Sequence, residues 1–300
     1  MLLTMRNRRG LTLVELLITM VVLAIVAASL GRILLQTFRV SESQIVQADL
    51  QSNVRTGGLV LPLEFREIGY DSNITSHTVT SDIEAMTANE LQFRAMRGYS
   101  TTCGTPTMNE IRFRKPITGL RLPQMTDGFL LYVENDENTG IDDQWIPLTV
   151  TAINPNGLCG TDSAVVLTIN TPQVAPGVNL TLASLFVGGP VRYYERMQFG
   201  SFVDADGLTY VGARSVSLGE ASYQAVAGPL RPGTGLQFRY FARDGSALDP
   251  ATANPVTVRS VQVTLRGLTQ RSINLAGSAN RQQAGMTTTT LVALRNTLKH

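Results

Sequence analysis

Hydrophobic and polar positions divide the chain into three zones of different period. The first is an apolar run from Leu11 to Leu30, interrupted by one charge, Glu15. Sixteen residues from Leu16 to Gly31 carry no charge, a little short of the roughly 20 that cross a bilayer as helix. Ile33, Leu34 and Leu35 lengthen the run, and Arg32 has a stem long enough to reach the interface from inside it. In the second zone Leu50, Val54, Gly57, Leu61, Phe65 and Ile68 recur every 3.6 residues, which predicts an amphipathic helix with one buried stripe. A helix from Leu11 to about Ile68 would be about 87 Å long. Pro62 lies inside this zone; its ring collides with the carbonyl four residues back and it donates no hydrogen bond, so Gly57, Gly58 and Pro62 predict a kink or a break.

Beyond Asp71 the period falls to two. Leu91–Arg97 and Ile111–Arg114 alternate cleanly, and Phe129–Val133, Ile146–Ile153 and Val165–Ile169 read as further strands. Val191–Tyr194, Leu208–Val211, Leu236–Ala242, Val256–Leu265 and Thr288–Leu294 complete the set. Within 256–265 the apolar parity changes once, which predicts a β-bulge near Arg259-Ser260. Asn154-Pro155-Asn156-Gly157, Asp206-Gly207 and Asp244-Gly245 are turn signals suited to hairpins or corners. About ten strands with no long helix between them imply antiparallel pairing. The fold class expected is α+β, a long N-terminal helix on a mainly antiparallel sheet. The divisions expected are 1–10 ahead of the apolar run, a membrane-crossing helix over 11–35, its amphipathic continuation over 36–70 and a β-rich head over 71–300.

The junction before the apolar run carries the functional signal. Arg6, Arg8 and Arg9 end at Gly10, and Glu15 sits four residues past Leu11. A carboxylate in a membrane-type segment costs about 2.5–3.5 kcal/mol on insertion scales, so it marks a function. A secretory signal would place a small-residue cleavage site after its apolar core, and Ala24, Ala27 and Ala28 make none that a polar mature start follows. An ordinary signal anchor would leave Gly10 and Glu15 without purpose. Arg6, Arg8 and Arg9 ahead of the span predict a cytoplasmic N-terminus and an extracytoplasmic head.

These residues resemble the class III signal of type IV prepilins. The resemblance implies cleavage by prepilin peptidase between Gly10 and Leu11, N-methylation of Leu11, and an assembly role for Glu15. In a filament, Glu15 would meet the positive amine of a neighbour's Leu11 and turn two buried charges into one pair. Three later segments resemble minor pilins of the PilW class, and one of them also resembles GspJ pseudopilins. They are Glu64-Phe65-Arg66-Glu67-Ile68-Gly69-Tyr70, Phe238–Gly245 (the one shared with GspJ) and Val292-Ala293-Leu294-Arg295-Asn296. The resemblance implies a structural subunit that helps initiate or prime pilus assembly. The implied partners are prepilin peptidase, other major and minor pilins through the N-terminal helix, and the inner-membrane assembly platform. A GspJ-like minor pseudopilin of a type II secretion system is the alternative, ahead of a membrane-tethered binding domain or hydrolase.

Composition narrows the other options. Without residues 1–10 the chain has 22 basic and 23 acidic residues, a net charge of −1 that gives no sign of a dedicated nucleic-acid binder. Cys103 and Cys159 are the only cysteines, both in turn-like contexts, and outside the cytoplasm one disulfide is their expected state, two free thiols being the alternative. The histidines, His77 and His300, supply neither a metal cluster nor a triad. Gly233-Thr234-Gly235 reads as a loop, and no nucleophile elbow or phosphate-binding glycine motif is present. The sequence therefore predicts no catalytic residue, no metal and no cofactor. Glu134, Asp136, Glu137, Asp142 and Asp143 are acidic enough for calcium but lack EF-hand spacing, and a solvated acidic turn explains them equally. Asp204-Ala205-Asp206-Gly207 is a weaker instance of the same pattern.

Overall fold

The computed structural model describes residues 12–68, 81–104, 107, 109–133, 144–170, 187–274 and 280–294. Helix α1 spans Leu13–Phe65, which at 1.5 Å per residue is about 80 Å. The strands are β1 (Ile83–Met86), β2 (Glu90–Thr101), β3 (Glu110–Arg114), β4 (Thr118–Gly119), β5 (Gly128–Val133) and β6 (Gln144–Leu148). They continue with β7 (Val150–Cys159), β8 (Asp162–Ile169), β9 (Pro190–Val203), β10 (Thr209–Ser215), β11 (Gln224–Leu230) and β12 (Leu236–Phe241). The last are β13 (Ala247–Leu248), β14 (Ser260–Leu268), β15 (Ile273–Asn274), β16 (Arg281–Gln282) and β17 (Gly285–Ala293).

Among the described residues every strand pair is antiparallel. The main sheet runs β1-β2-β9-β10-β11-β14-β12-β13, with β17 on β14, β4 on β2, and β5 joining β6 to β9. Strand β9 pairs with β2 along one edge; β5 and β10 divide the other between Val191–Tyr194 and Met197–Val203. A three-stranded sheet, β3-β8-β7, stands apart from it. The α+β class expected from the pattern is the class observed.

Two compact units emerge from the contacts. One comprises residues 1–49 and 269–284; the other comprises 50–268 and 285–300. In the larger unit the C-terminal part of α1 packs on the main sheet through Leu50, Val54, Gly57, Leu61 and Phe65, the stripe read from the sequence. Phe65 is its densest contact. Its ring lies 5.5 Å from Phe93, 5.6 Å from Phe199 and 5.6 Å from Phe238, all edge-on. Helix and sheet come close because two positions lack side chains: a Cβ on Gly57 would stand 2.8 Å from Ala227 Cβ and from Leu265 Cδ1, and one on Gly267 would stand 2.7 Å from Leu50 Cδ1. A second core fills the space between the small sheet and β5, β6 and β9, with Ile111, Phe113, Phe129, Leu131, Val165 and Tyr193 at its centre.

Four local expectations need correction. The helix does not break at Pro62; it continues to Phe65, and Arg66 N–H donates to the Pro62 carbonyl at 3.1 Å. Pro62 stands in the last turn, where the bond it forfeits is one of few remaining, and buried Leu61 and Phe65 hold the turn from both sides. The parity change in 256–265 is not a bulge. Pro255–Thr257 form a 3-10 turn, capped by Asn254 Oδ1 accepting from Val256 N–H at 3.1 Å, and β14 starts at Ser260. Asn154–Gly157 is not a hairpin corner but an irregularity inside β7, where the register against β8 shifts. The chain reverses instead at Gly160-Thr161, with Gly160 at φ +62°. Finally, Ile146–Ile153 is two strands, parted at Thr149.

Candidate assembly and processing site

The site read from the sequence lies at the start of α1. Gly10, Leu11 and the three arginines before them lie outside the described residues. Thr12 and Glu15 are within them. Glu15 Oε2 accepts from Thr12 N–H at 2.9 Å and from Thr12 Oγ1 at 3.1 Å, while Glu15 N–H donates back to Thr12 Oγ1 at 3.3 Å. Leu16 N–H donates to the Thr12 carbonyl at 3.2 Å, the first bond of the ladder. This is a capping box: threonine at the cap and glutamate three residues on satisfy donors that an unadorned helix end leaves bare. A carboxylate here also faces the positive end of the helix dipole. The Thr-x-x-Glu spacing was present in the sequence as a signal for Thr12, which the sequence reading passed over. Glu15 Oε2 caps its own helix, and Oε1 takes no hydrogen bond from any described residue.

From Leu13 to Asp49 no residue of α1 is buried; the first buried position is Leu50. Leucine, valine and isoleucine from Leu13 to Leu35 are therefore presented outward. Their few polar companions close on their own helix: Thr19 and Ser29 hydroxyls donate to the Leu16 and Val26 carbonyls at 2.8 Å, and Thr37 to the Ile33 carbonyl at 2.9 Å. Satisfied hydroxyls and an uncovered apolar surface are what a helix needs to sit in lipid or against other apolar helices. Its length and apolar composition suffice to cross a membrane.

The head carries the other predicted residues. Cys103 and Cys159 form a disulfide with their Cα atoms 6.0 Å apart, tying the end of β2 to the end of β7. A chain of charges that the sequence reading did not single out links the last turn of α1 to the sheet. Arg97 donates to Glu195 Oε2 at 2.8 Å and to Glu64 Oε2 at 3.3 Å. Arg121 grips Asp127 with two bonds, at 2.6 and 2.5 Å, and reaches Glu195 Oε2 at 3.5 Å. Burial pushes the Glu195 carboxyl upward, but bonds from Ser215 and Arg97 and the charges of Arg97 and Arg121 outweigh it and hold the group below its ordinary value of 4.5. Tyr193, whose hydroxyl donates to the Arg121 carbonyl, is pushed up to about 12, chiefly by burial. These members come from positions 64, 97, 121, 127 and 195, so no local motif announces them.

The weaker candidates resolve simply. Asp204 Oδ1 accepts from Ala205 N–H at 2.8 Å; Asp206 accepts from Leu208 N–H at 2.8 Å and from the Tyr210 hydroxyl at 2.7 Å. Their carboxylates build the β9–β10 turn. Among the described residues no group of three or more His, Cys, Asp or Glu side chains is arranged to hold a metal. Glu134, Asp136, Glu137, Asp142, Asp143, His77 and His300 lie outside the described residues, as do Gly69, Tyr70, Arg295 and Asn296 of the PilW-like segments.

Residues 5–31 match the prokaryotic N-terminal methylation motif. The match takes in Gly10, Leu11 and Glu15 together with the uncovered first part of α1. No curated protein and no solved structure matches the chain. The motif indicates a type IV pilin- or pseudopilin-like protein that prepilin peptidase processes.

Proposed function

We propose that this chain is a minor type IV pilin of the PilW class, a non-enzymatic subunit that helps initiate or prime pilus assembly. Prepilin peptidase cuts between Gly10 and Leu11, Leu11 is methylated, and the head stands on the extracytoplasmic side with the N-terminus in the cytoplasm. The observation that carries the reading is the first part of α1, apolar, uncovered by the described residues and begun by a carboxylate with one oxygen that none of them engages. Such a surface has two suitable environments, the bilayer before assembly and the helices of other major and minor pilins after it. The Leu11 amine of an adjoining subunit supplies the charge for Glu15 Oε1. The disulfide suits an oxidising compartment.

Glu15→Ala tests the reading. It should insert and be processed, because removing a charge lowers the cost of an apolar span. Its recovery in sheared filaments or co-purified minor-subunit complexes, normalised to membrane level, should fall well below wild type. Wild-type recovery would sink the assembly role. Co-purification with type II secretion subunits instead of pilus subunits would move the chain to the GspJ-like class.

A further inference from the structure

Two cations of α1, Arg32 and Arg39, are exposed and make no hydrogen bond or ion pair with any described residue. Seven residues apart, they lie on the same side of the helix. Both line one open hollow of about 490 Å³ together with Leu35, Gln36, Val40 and Ser43. Arg39 also enters a smaller hollow of about 220 Å³ with Glu42, Ser43, Ile273 and Arg281. Glu42, three residues after Arg39, is the carboxylate that helical spacing offers it. That carboxylate is engaged elsewhere: Arg281 Nη2 stands 3.5 Å from Glu42 Oε1, and Arg281 Nε donates to the Ser272 carbonyl at 3.0 Å. The β15–β16 segment, by pairing Arg281 with Glu42, thus leaves Arg39 unneutralised.

The position along the helix selects a ligand. Arg32 ends the sixteen uncharged residues, at the boundary of the hydrocarbon, and Arg39 stands about 10 Å further on. The headgroup layer adds about 5–7.5 Å on each side of a hydrocarbon core about 30 Å thick, so Arg39 stands just past it and reaches back into it along its stem. We propose that Arg32 and Arg39 bind the phosphodiester of an anionic phospholipid, with Gln36 in hydrogen-bond reach of the headgroup and Leu35 against its glycerol end. A zwitterionic lipid carries no net charge to offset Arg32 and Arg39, which disfavours it. The assignment rests on the membrane-anchored reading of α1.

The test uses the full chain in vesicles of phosphatidylcholine and phosphatidylglycerol in equal amounts, with the lipid retained after mild extraction measured by mass spectrometry. Wild type should retain phosphatidylglycerol preferentially. Arg32→Gln and Arg39→Gln should each lower the enrichment about fivefold, from about 1 kcal/mol per juxtamembrane arginine, and Arg55→Gln should leave it unchanged. Excess inorganic phosphate should not displace the lipid; displacement would assign the site to free phosphate and overturn the proposal. Equal retention of both lipids by wild type overturns it, as does an equal loss in Arg55→Gln. Unchanged lipid retention with failed filament recovery in the arginine variants would hand the cations to a neighbouring subunit's carboxylates. A chain that enters no vesicle of either composition refutes the membrane reading itself, a result distinct from insertion without selectivity.

Discussion

Glu15 has two oxygens and its own helix uses one, so capping and charge pairing make separable demands. Glutamine can also serve in a capping box, but it brings no charge. Glu15→Gln should therefore keep the Thr12 amide protected in detergent-solubilised protein, while Glu15→Ala loses that protection. Both should assemble poorly, as measured by recovery in sheared filaments. Wild-type recovery of the glutamine variant alone would make hydrogen bonding sufficient and remove the need for charge. Gly57 is the opposite kind of residue, needed for what it lacks. Gly57→Val would press on Ala227 and Leu265 across an approach already at 2.8 Å from a single added Cβ, and should destabilise the head by about 1–3 kcal/mol or more. Thermal unfolding of the detergent-solubilised chain, followed by near-ultraviolet dichroism, would register the change.

Between elements, the docking of α1 on the sheet is concentrated at Phe65 and at the charges beside it. Phe65→Ala should cost about 3–5 kcal/mol, since the ring is fully enclosed by Phe93, Phe199 and Phe238. Arg97 and Glu195 side chains are 10% and 11% exposed, so removing one leaves the other stranded. Arg97→Ala should cost about 3–5 kcal/mol by denaturant titration. The pair also sets a pH response. Because Glu195 is held below its ordinary value in the fold, its contribution is complete above that value and is lost as pH falls through the lowered one. Glu195→Gln should flatten this acid limb of the stability curve; an unaltered limb would show that other carboxylates dominate it. What the sequence disclosed at this scale follows the same division. The stripe from Leu50 to Phe65 was legible because apolar burial repeats with the helix. Strand β9 was legible only over Val191–Tyr194, because Glu195 and Gln198 interrupt its apolar pattern and have their partners in distant segments. Strand β11 carries no clean alternation and holds Gly228-Pro229, so nothing in the pattern announced it, and Val256 mimicked a strand from within a 3-10 turn.

For the whole molecule, the processing motif and the fold class are both legible in the sequence, the first in the Arg9-Gly10-Leu11 junction and the second in the change of period. The strand order could not, since it depends on which distant strands find one another. N-terminal mass analysis of membrane-extracted protein should find a chain beginning at methylated Leu11; any other start would contradict the assigned junction. Cys103 and Cys159 close a loop of sequence separation 56, and replacing both with alanine should lower stability by about 4 kcal/mol in the chain-entropy model without affecting insertion. Peptide mapping without reductant should recover the two cysteines linked, and two freely alkylated thiols would contradict the bond.

The place of β9 in the sheet sets a schedule for biogenesis. It is the strand to which β2, β5 and β10 all attach, yet it begins at Pro190. On the proposed topology, a chain exported from its N-terminal end would have α1 in the membrane and β2 and β5 outside long before their shared partner arrives. For that interval β2 has an unpaired edge of twelve residues, a template for wrong pairing. Contacts this distant in sequence also form slowly. The vulnerable moment of this protein is thus the passage of its middle third, when the anchor is already set and the head still lacks the strand that organises it. On that topology, an export pause before residue 190 should expose the nascent head to proteolysis outside the cytoplasm, while one after Val203 should leave it largely protected.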